Sequence, residues 1–272
     1  MTAFTFILFT GVMIIMTMSK IAIGFQPQSQ FRKMPSRLPP STMYRPILPL
    51  SITSLHTSSV TTDTRQDTIR DAVPSTMEEA IRTFVLAGDH GPVYVSVVIL
   101  AFTAWRAQMS PLEFADGLVF LATTLFWSFQ EHILHDKVLH SDQEWFGKEI
   151  HEQHHARPYY HVSIDPAPLL LGWMFIAHFA FRMLLPLPLA VTATIAYSLS
   201  GMFYEWAHYI VHTKVRFRSK FWKRVKENHL RHHVVSDEFW FAFSIPFIDD
   251  LFHTNPSVVE VKQQLLKEKP PK

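Results

Sequence analysis

The chain of 272 residues contains no cysteine, which excludes disulfide frameworks, thiolate zinc sites, cysteine-ligated haem and iron–sulfur clusters within it. Any metal must then be held by histidine, carboxylate or backbone oxygen. Glycine is scarce, at 8, whereas phenylalanine reaches 23 and hydrophobic residues make up 48%. That balance points to helices in a membrane rather than to a soluble sheet protein. Acid is missing altogether from residues 1–62, which carry Lys20, Arg32, Lys33, Arg37 and Arg45, so the rest of the chain holds 20 basic against 23 acidic residues. A nucleic-acid binder needs its basic excess on the folded part, and here the excess sits in the leader. No nucleic-acid partner is expected.

Residues 1–24 read as a signal peptide or N-terminal anchor, because Ala3 to Met18 carry no charge and the small-residue stretch Ile21-Ala22-Ile23-Gly24 follows. Residues 25–70 read as a transit-peptide-like, disordered leader: positions 25–62 hold twelve Ser/Thr and six Pro, too few periodic apolar residues to bury a core. Ala22-Ile23-Gly24-Phe25-Gln26-Pro27 resembles the junction of bipartite leaders that address proteins to complex plastids, with Phe25 in the position after cleavage. The resemblance implies a plastid membrane. The alternative is an anchored tail in the endoplasmic reticulum membrane.

Residues 71–272 then form the membrane domain. Ser75 and Glu78 have capping-box spacing and predict a helix to about Gly88. Four long apolar stretches follow, from Val93 to Ala107, Leu112 to Gln130, Ala167 to Leu185 and Leu187 to Ile210. Each is close to the roughly 20 residues a helix needs to cross the bilayer. The predicted fold is all-α, with about four transmembrane helices in two hairpins and a helical, His-rich cap on one face. Lysines and arginines between residues 137 and 231 crowd that face, which makes it cytosolic or stromal by the positive-inside rule.

Of sixteen histidines, eleven fall in four clusters there: His132, His135 and His140; His151, His154 and His155; His208 and His212; His229, His232 and His233. Spacings of three and four residues place imidazoles on one face of a helix. All-imidazole sites suit Fe, Cu, Zn or Ni, whereas Mg or Ca would demand oxygen. About ten ligands exceed what one ion can use, so two ions are the economical count. Glu152-x-x-His155 and Glu205-x-x-His208 also match the spacing of di-iron carboxylate bundles, but that pattern would leave most histidines unused. Glu131, Glu152 and Glu205 are better read as carboxylates that orient imidazoles.

The four clusters, their order, and the phrase Tyr204-Glu-Trp-Ala-His208-Tyr resemble the fatty acid hydroxylase and sterol desaturase superfamily of membrane di-iron oxygenases over about residues 90–255. The resemblance implies His135, His140, His151, His154, His155, His208, His212, His229, His232 and His233 as metal ligands. His132 falls where the family has an aromatic residue, although helical spacing alone would pair it with His135. The cofactors implied are two Fe2+ ions, for which zinc can substitute in purified material. They activate O2 to oxidise an unactivated C–H bond of a lipid, a fatty-acyl lipid or sterol-pathway intermediate, by hydroxylation, desaturation or epoxidation. Electrons must come from outside, from a ferredoxin or a small cytochrome with its reductase. Carotenoid-ring hydroxylation is an alternative, from which the His208-x-x-x-His212 spacing departs. A His-rich membrane metal carrier is an alternative of another class, which predicts ionisable residues along a path through the spans.

Several features carry two readings. The basic segment from Lys214 to Arg231 suits either an acidic electron donor or lipid headgroups. The run Phe239-Trp240-Phe241-Ala242-Phe243 suits a roof over the substrate channel or an interfacial belt. His56, His90, His161 and His178 read as structural, and His253 as a further candidate near the site.

Overall fold

The computed structural model describes residues 73–86, 91–156, 158, 165, 167–242 and 244–268, and among these every regular element is helical. The leader with its boundaries at 24 and 70, and His56, His90, Arg157, His161 and Phe243, lie outside the described residues. In chain order the elements are α1 (Met77–Leu86), α2 (Gly91–Met109), α3 (Phe114–Leu134), a π-helical turn (His135–Leu139), α4 (Phe146–Ala156), α5 (Ala167–Leu184), α6 (Leu187–Val211), α7 (Lys220–Val234), α8 (Phe247–Leu251) and α9 (Val258–Glu268).

Helix α1 starts one residue later than the Ser75/Glu78 spacing predicts. Thr76 Oγ1 accepts from the Glu79 N–H at 3.2 Å, and Glu79 Oε2 accepts from the amides of Thr76 at 3.1 Å and Ser75 at 2.8 Å. Glu79 thus satisfies two amides that the helix cannot, and Glu78 is left in solvent. The buried Ala80 and Phe84 seat α1 on Tyr209, Ile210 and Val225, beside the histidine-rich end of the molecule.

The four apolar stretches all become helices, but they are not equivalent. Helices α2, α5 and α6 are long and apolar enough to cross a membrane. Helix α3 has the length, 21 residues, yet Asp116 lies near its start and Gln130, Glu131 and His132 near its end. All four of those side chains are buried in protein. The expectation of four spans therefore narrows to three by composition, with α3 the fourth member of the same bundle, its polar ends shielded by neighbouring helices.

Helix α6 is the axis on which α2, α3 and α5 all pack. Its Ala190, Ala193 and Ala196 are fully buried, and such small side chains let helix backbones approach closely. Gly201 continues this line: a Cβ there would come within 3.3 Å of the Trp127 ring, so α3 wedges its indole into the space a side chain would fill.

At the end of the bundle where α2 turns into α3, a polar lock forms. Arg106 donates from Nε and Nη2 to the two carboxylate oxygens of Asp116 at 3.0 and 2.7 Å, and Thr192 Oγ1 of α6 donates to the same carboxylate at 2.5 Å. Arg106 Nη1 also donates to the Ser110 carbonyl at 2.7 Å. The charges cancel and their hydrogen-bonding capacity is used, as burial requires. His178 is likewise settled within the bundle, its Nδ1 2.9 Å from Thr194 Oγ1 and its ring edge-on to Phe102 at 5.1 Å.

Candidate metal centre

At the opposite end, the α-helical pattern of α3 gives way to the π-helical turn, closed by the His140 N–H donating to the His135 carbonyl at 3.2 Å. Bonding of i to i+5 puts residues five apart on one face. That local change is why His135 meets His140, where α-helical spacing would pair His132 with His135. His132 turns away instead: its Nε2 lies 2.9 Å from Thr254 Oγ1, and its ring stacks on Phe252 with centroids 4.2 Å apart.

All ten histidines expected as ligands come together, in two groups of five. The first holds His135, His140, His151, His155 and His232; the second holds His154, His208, His212, His229 and His233. In each, the ring nitrogens lie within 4.8 Å of one another. Nε2 to Nε2 separations are 2.9 Å for His140–His151 and 3.0 Å for His151–His155 in the first group. In the second they are 2.7 Å for His212–His229 and 2.9 Å for His154–His208. The groups abut, with His155 and His233 stacked at 4.3 Å.

Imidazole nitrogens this close need a proton or a cation between them, since a neutral ring offers one donor and one acceptor. A second proton on a ring is disfavoured, and the one N–H of each neutral ring cannot serve His151 Nε2, which lies within 3.2 Å of the Nε2 atoms of His135, His140 and His155. Burial, then repulsion between neighbouring rings, presses His135, His151 and His229 well below the usual histidine range. The same causes hold His155 at about 2, and burial holds His232 at about 3. The rings are neutral at pH 7, the form that binds a metal. Donor chemistry and geometry thus fit two neighbouring N-ligated transition-metal ions.

Two backbone carbonyls set the direction of the first group. His135 Nδ1 donates to the Phe241 carbonyl and His232 Nδ1 to the Phe239 carbonyl, both at 2.7 Å. A carbonyl only accepts, so each Nδ1 carries the proton and each Nε2 lone pair points into the group. The loop bearing these carbonyls is strained at Trp240, which is fully buried with φ of 61°. A non-glycine residue in that region costs on the order of 1–3 kcal/mol and persists only where its surroundings hold it.

Two acids hold it. Asp249 Oδ1 accepts from the amides of Phe241 at 2.9 Å and Ala242 at 3.0 Å and from Thr254 Oγ1 at 2.8 Å. Glu131 Oε1 accepts from the Ser244 amide at 3.0 Å, and its other oxygen bonds the Ser244 hydroxyl. Sequence reasoning missed Asp249; nothing in Asp249-Asp250 distinguishes a fully buried acid from its half-exposed neighbour. Burial pushes the Asp249 carboxyl up to about 6. The ring of Phe241 lies over the first group, 5.5 Å from His135 and 5.6 Å from His232; Phe239 to Ala242 do not line the cavity below, so Phe241 caps imidazoles rather than a substrate channel.

The remaining candidates divide. Glu131 acts on the first group through the loop it fastens at Ser244. Glu205 Oε2 accepts the Asp165 N–H at 3.0 Å. Glu152 is exposed, 3.5 Å from Lys148, which separates it from the imidazoles and removes a carboxylate that the di-iron carboxylate pattern would need. His253 is exposed, with φ of 56°.

A cavity of about 190 Å3 opens beneath both groups, touching His135 and His151 of the first and His154 and His208 of the second. It runs between α2, α3, α5 and α6, past Trp127, Leu170, Met174 and Tyr197.

The fold and this end of the bundle define a helical integral membrane protein with a ten-imidazole centre set over an apolar cavity. The family model described as fatty acid hydroxylase matches residues 120–254, the stretch that carries all ten rings. Over that stretch, just under half of the chain, the protein is similar to the fatty acid hydroxylase family. It is similar to the fatty acid 2-hydroxylase of Homo sapiens, with 29% identity over 178 residues, 60% of this chain and 46% of that protein. The fatty acid 2-hydroxylase of Macaca fascicularis is 26% identical over 165 residues, 57% of this chain and 43% of that protein. The chain thus spans less than half the length of these relatives. The solved structure of full-length scs7p, in which only the hydroxylase domain is visible, shares the fold: TM-score 0.52 at 19% identity, over 61% of this chain and 66% of that one.

Proposed function

We propose that this protein is a di-iron membrane oxygenase that hydroxylates, desaturates or epoxidises a hydrophobic lipid, a fatty-acyl lipid or sterol-pathway intermediate. The observation that carries the reading is the pair of five-imidazole groups at the head of an apolar cavity inside a membrane bundle. His135, His140, His151, His155 and His232 would hold one ion; His154, His208, His212, His229 and His233 would hold the other. Bound there, iron supplies the activation of O2 against an unactivated C–H bond.

The chain's own contribution is position and dryness. The carbonyls of Phe239 and Phe241 fix the ring tautomers of His232 and His135. Phe241 covers the first group, and the apolar walls below admit a hydrocarbon chain while excluding water. O2 and an external electron donor, a ferredoxin or a small cytochrome with its reductase, complete the reaction. Exposed Lys220 and Lys223 on α7, the helix that supplies His229, His232 and His233, offer such a donor a basic approach. The leader supports a plastid membrane as the site, with the endoplasmic reticulum membrane as the alternative.

The test is lipid, sterol and pigment profiling of cells lacking the protein, rescued with the intact chain or with His232→Ala. The expected result is a precursor that accumulates and an oxidised partner that returns with the intact chain alone. Their mass difference names the reaction. A change in cellular metal content with no change in any lipid pool would replace the oxygenase by a metal carrier.

A further inference from the structure

The cavity beneath the imidazoles is mostly apolar; besides Glu131, Asp165, Ser198, Tyr204 and Glu205, its lining holds a neutral cluster of three hydrogen-bonding side chains. Gln130 Nε2 of α3 lies 2.7 Å from the Tyr197 hydroxyl of α6, and Gln130 is buried. Trp127 packs edge-on to Tyr197 with centroids 4.6 Å apart, and its Nε1 is buried with no hydrogen-bond partner. All three side chains line the cavity.

This cluster is incompletely satisfied. A glutamine amide and a phenol share one hydrogen bond, so whichever way the amide is turned, a donor and an acceptor remain besides the indole N–H. Buried polar groups at membrane depth are costly to leave unpaired. An interhelical strut would need only the Gln130–Tyr197 bond; it would not need an indole N–H left without a partner beside it. Trp127 lies against Gly201, which precedes His208 by seven residues, about 10 Å of helix rise.

We propose that Trp127, Gln130 and Tyr197 form a subsite for a hydroxyl group carried by the lipid substrate, about 10 Å from the carbon that is oxidised. A hydroxyl both gives and takes a hydrogen bond, and so matches the capacities left open. The inference rests on the lipid oxygenase reading and adds a substrate class to it: a chain that is already oxygenated, in preference to a plain hydrocarbon one. The reaction that supplies this substrate must therefore be an earlier hydroxylation or hydration.

The test uses the full-length, metal-loaded protein in lipid nanodiscs supplied with O2 and a reduced ferredoxin, or a reduced small cytochrome, with its reductase, and two probes, 12-hydroxyoctadecanoic acid and octadecanoic acid, with retention and oxidation measured separately. The expected result is about tenfold tighter retention of the hydroxylated chain, since sites built to bond a hydroxyl discriminate against analogues that lack it. Gln130→Leu, Tyr197→Phe and Trp127→Phe should each reduce the preference to about twofold or less, with Tyr197→Phe and Trp127→Phe melting within a few degrees of the parent. Equal retention of both probes by the parent overturns the subsite, as does a preference that survives all three substitutions. Oxidation without preference removes the subsite and leaves the oxygenase reading standing. Preference without oxidation of either probe does the reverse.

Discussion

The two ends of the bundle bury polar groups by opposite means. At one end Arg106, Asp116 and Thr192 bring a cation, an anion and a hydroxyl into mutual contact, and every charge has its opposite within 3.0 Å. At the other, ten imidazoles face one another at about the same range with no carboxylate among them. The first arrangement is complete in itself. The second is a set of lone pairs that only something foreign to the chain can reconcile. Folding can close the first end unaided, whereas the second is finished by what it binds.

Separating the two ends experimentally sharpens this contrast. The largest effect expected is from His154→Ala or His232→Ala, which should lower oxidised product at least 100-fold and remove metal, read as metal per protein by mass spectrometry. The Arg106–Asp116 end should leave metal content untouched. There Asp116→Ala should destabilise by about 3–5 kcal/mol in thermal unfolding, because it strands a buried guanidinium, while Arg106→Leu with Asp116→Leu should recover much of the loss. A double variant as unstable as the single one would show that this end is not closed by the pair.

Asp249→Ala comes next, with an expected 10- to 100-fold loss of metal affinity confined to the first group. It frees the loop that presents the carbonyls of Phe239 and Phe241 and should halve metal per protein at limiting supply. Equal loss from both groups would contradict that placement.

Acid distinguishes the ends further. His155 and His232 are held at about 2 and about 3 when folded, well below their unfolded values, so the unfolded chain takes up protons first as pH falls. Metal-stripped protein should therefore lose stability from about pH 6.5 down to about pH 3, by up to tenfold in the folding equilibrium per pH unit for each such ring. The smallest effect belongs to His178→Leu, which removes one interhelical bond to Thr194 and should cost about 0.6 kcal/mol with product unchanged.

Much of the metal end is legible in the sequence because imidazole is rare and its spacing is local. The ten rings, the helices that carry them and the exclusion of His132 follow from short-range pattern and from resemblance. Which ring joins which group does not. His154 parts from His151 and His155, and His232 from His229 and His233, because neighbouring positions on a helix point in different directions and only the facing helices decide what each one meets. Asp249 is illegible for the same reason: its partners are the amides of Phe241 and Ala242 and the hydroxyl of Thr254, groups with no sequence signature. Arg106 and Asp116, each within a separate apolar stretch, are partners in the folded chain. Their pairing required the helical hairpin to be built.

The division of His151 and His155 from His154 on α4, and of His232 from His229 and His233 on α7, means that two helices each contribute to both imidazole groups. The offset between the groups is then set in part by the angular step from one residue to the next on an α-helix. Helix α4 and helix α7 act as rulers laid across the centre. A lipid that enters the cavity and pushes on either of them would disturb both groups at once.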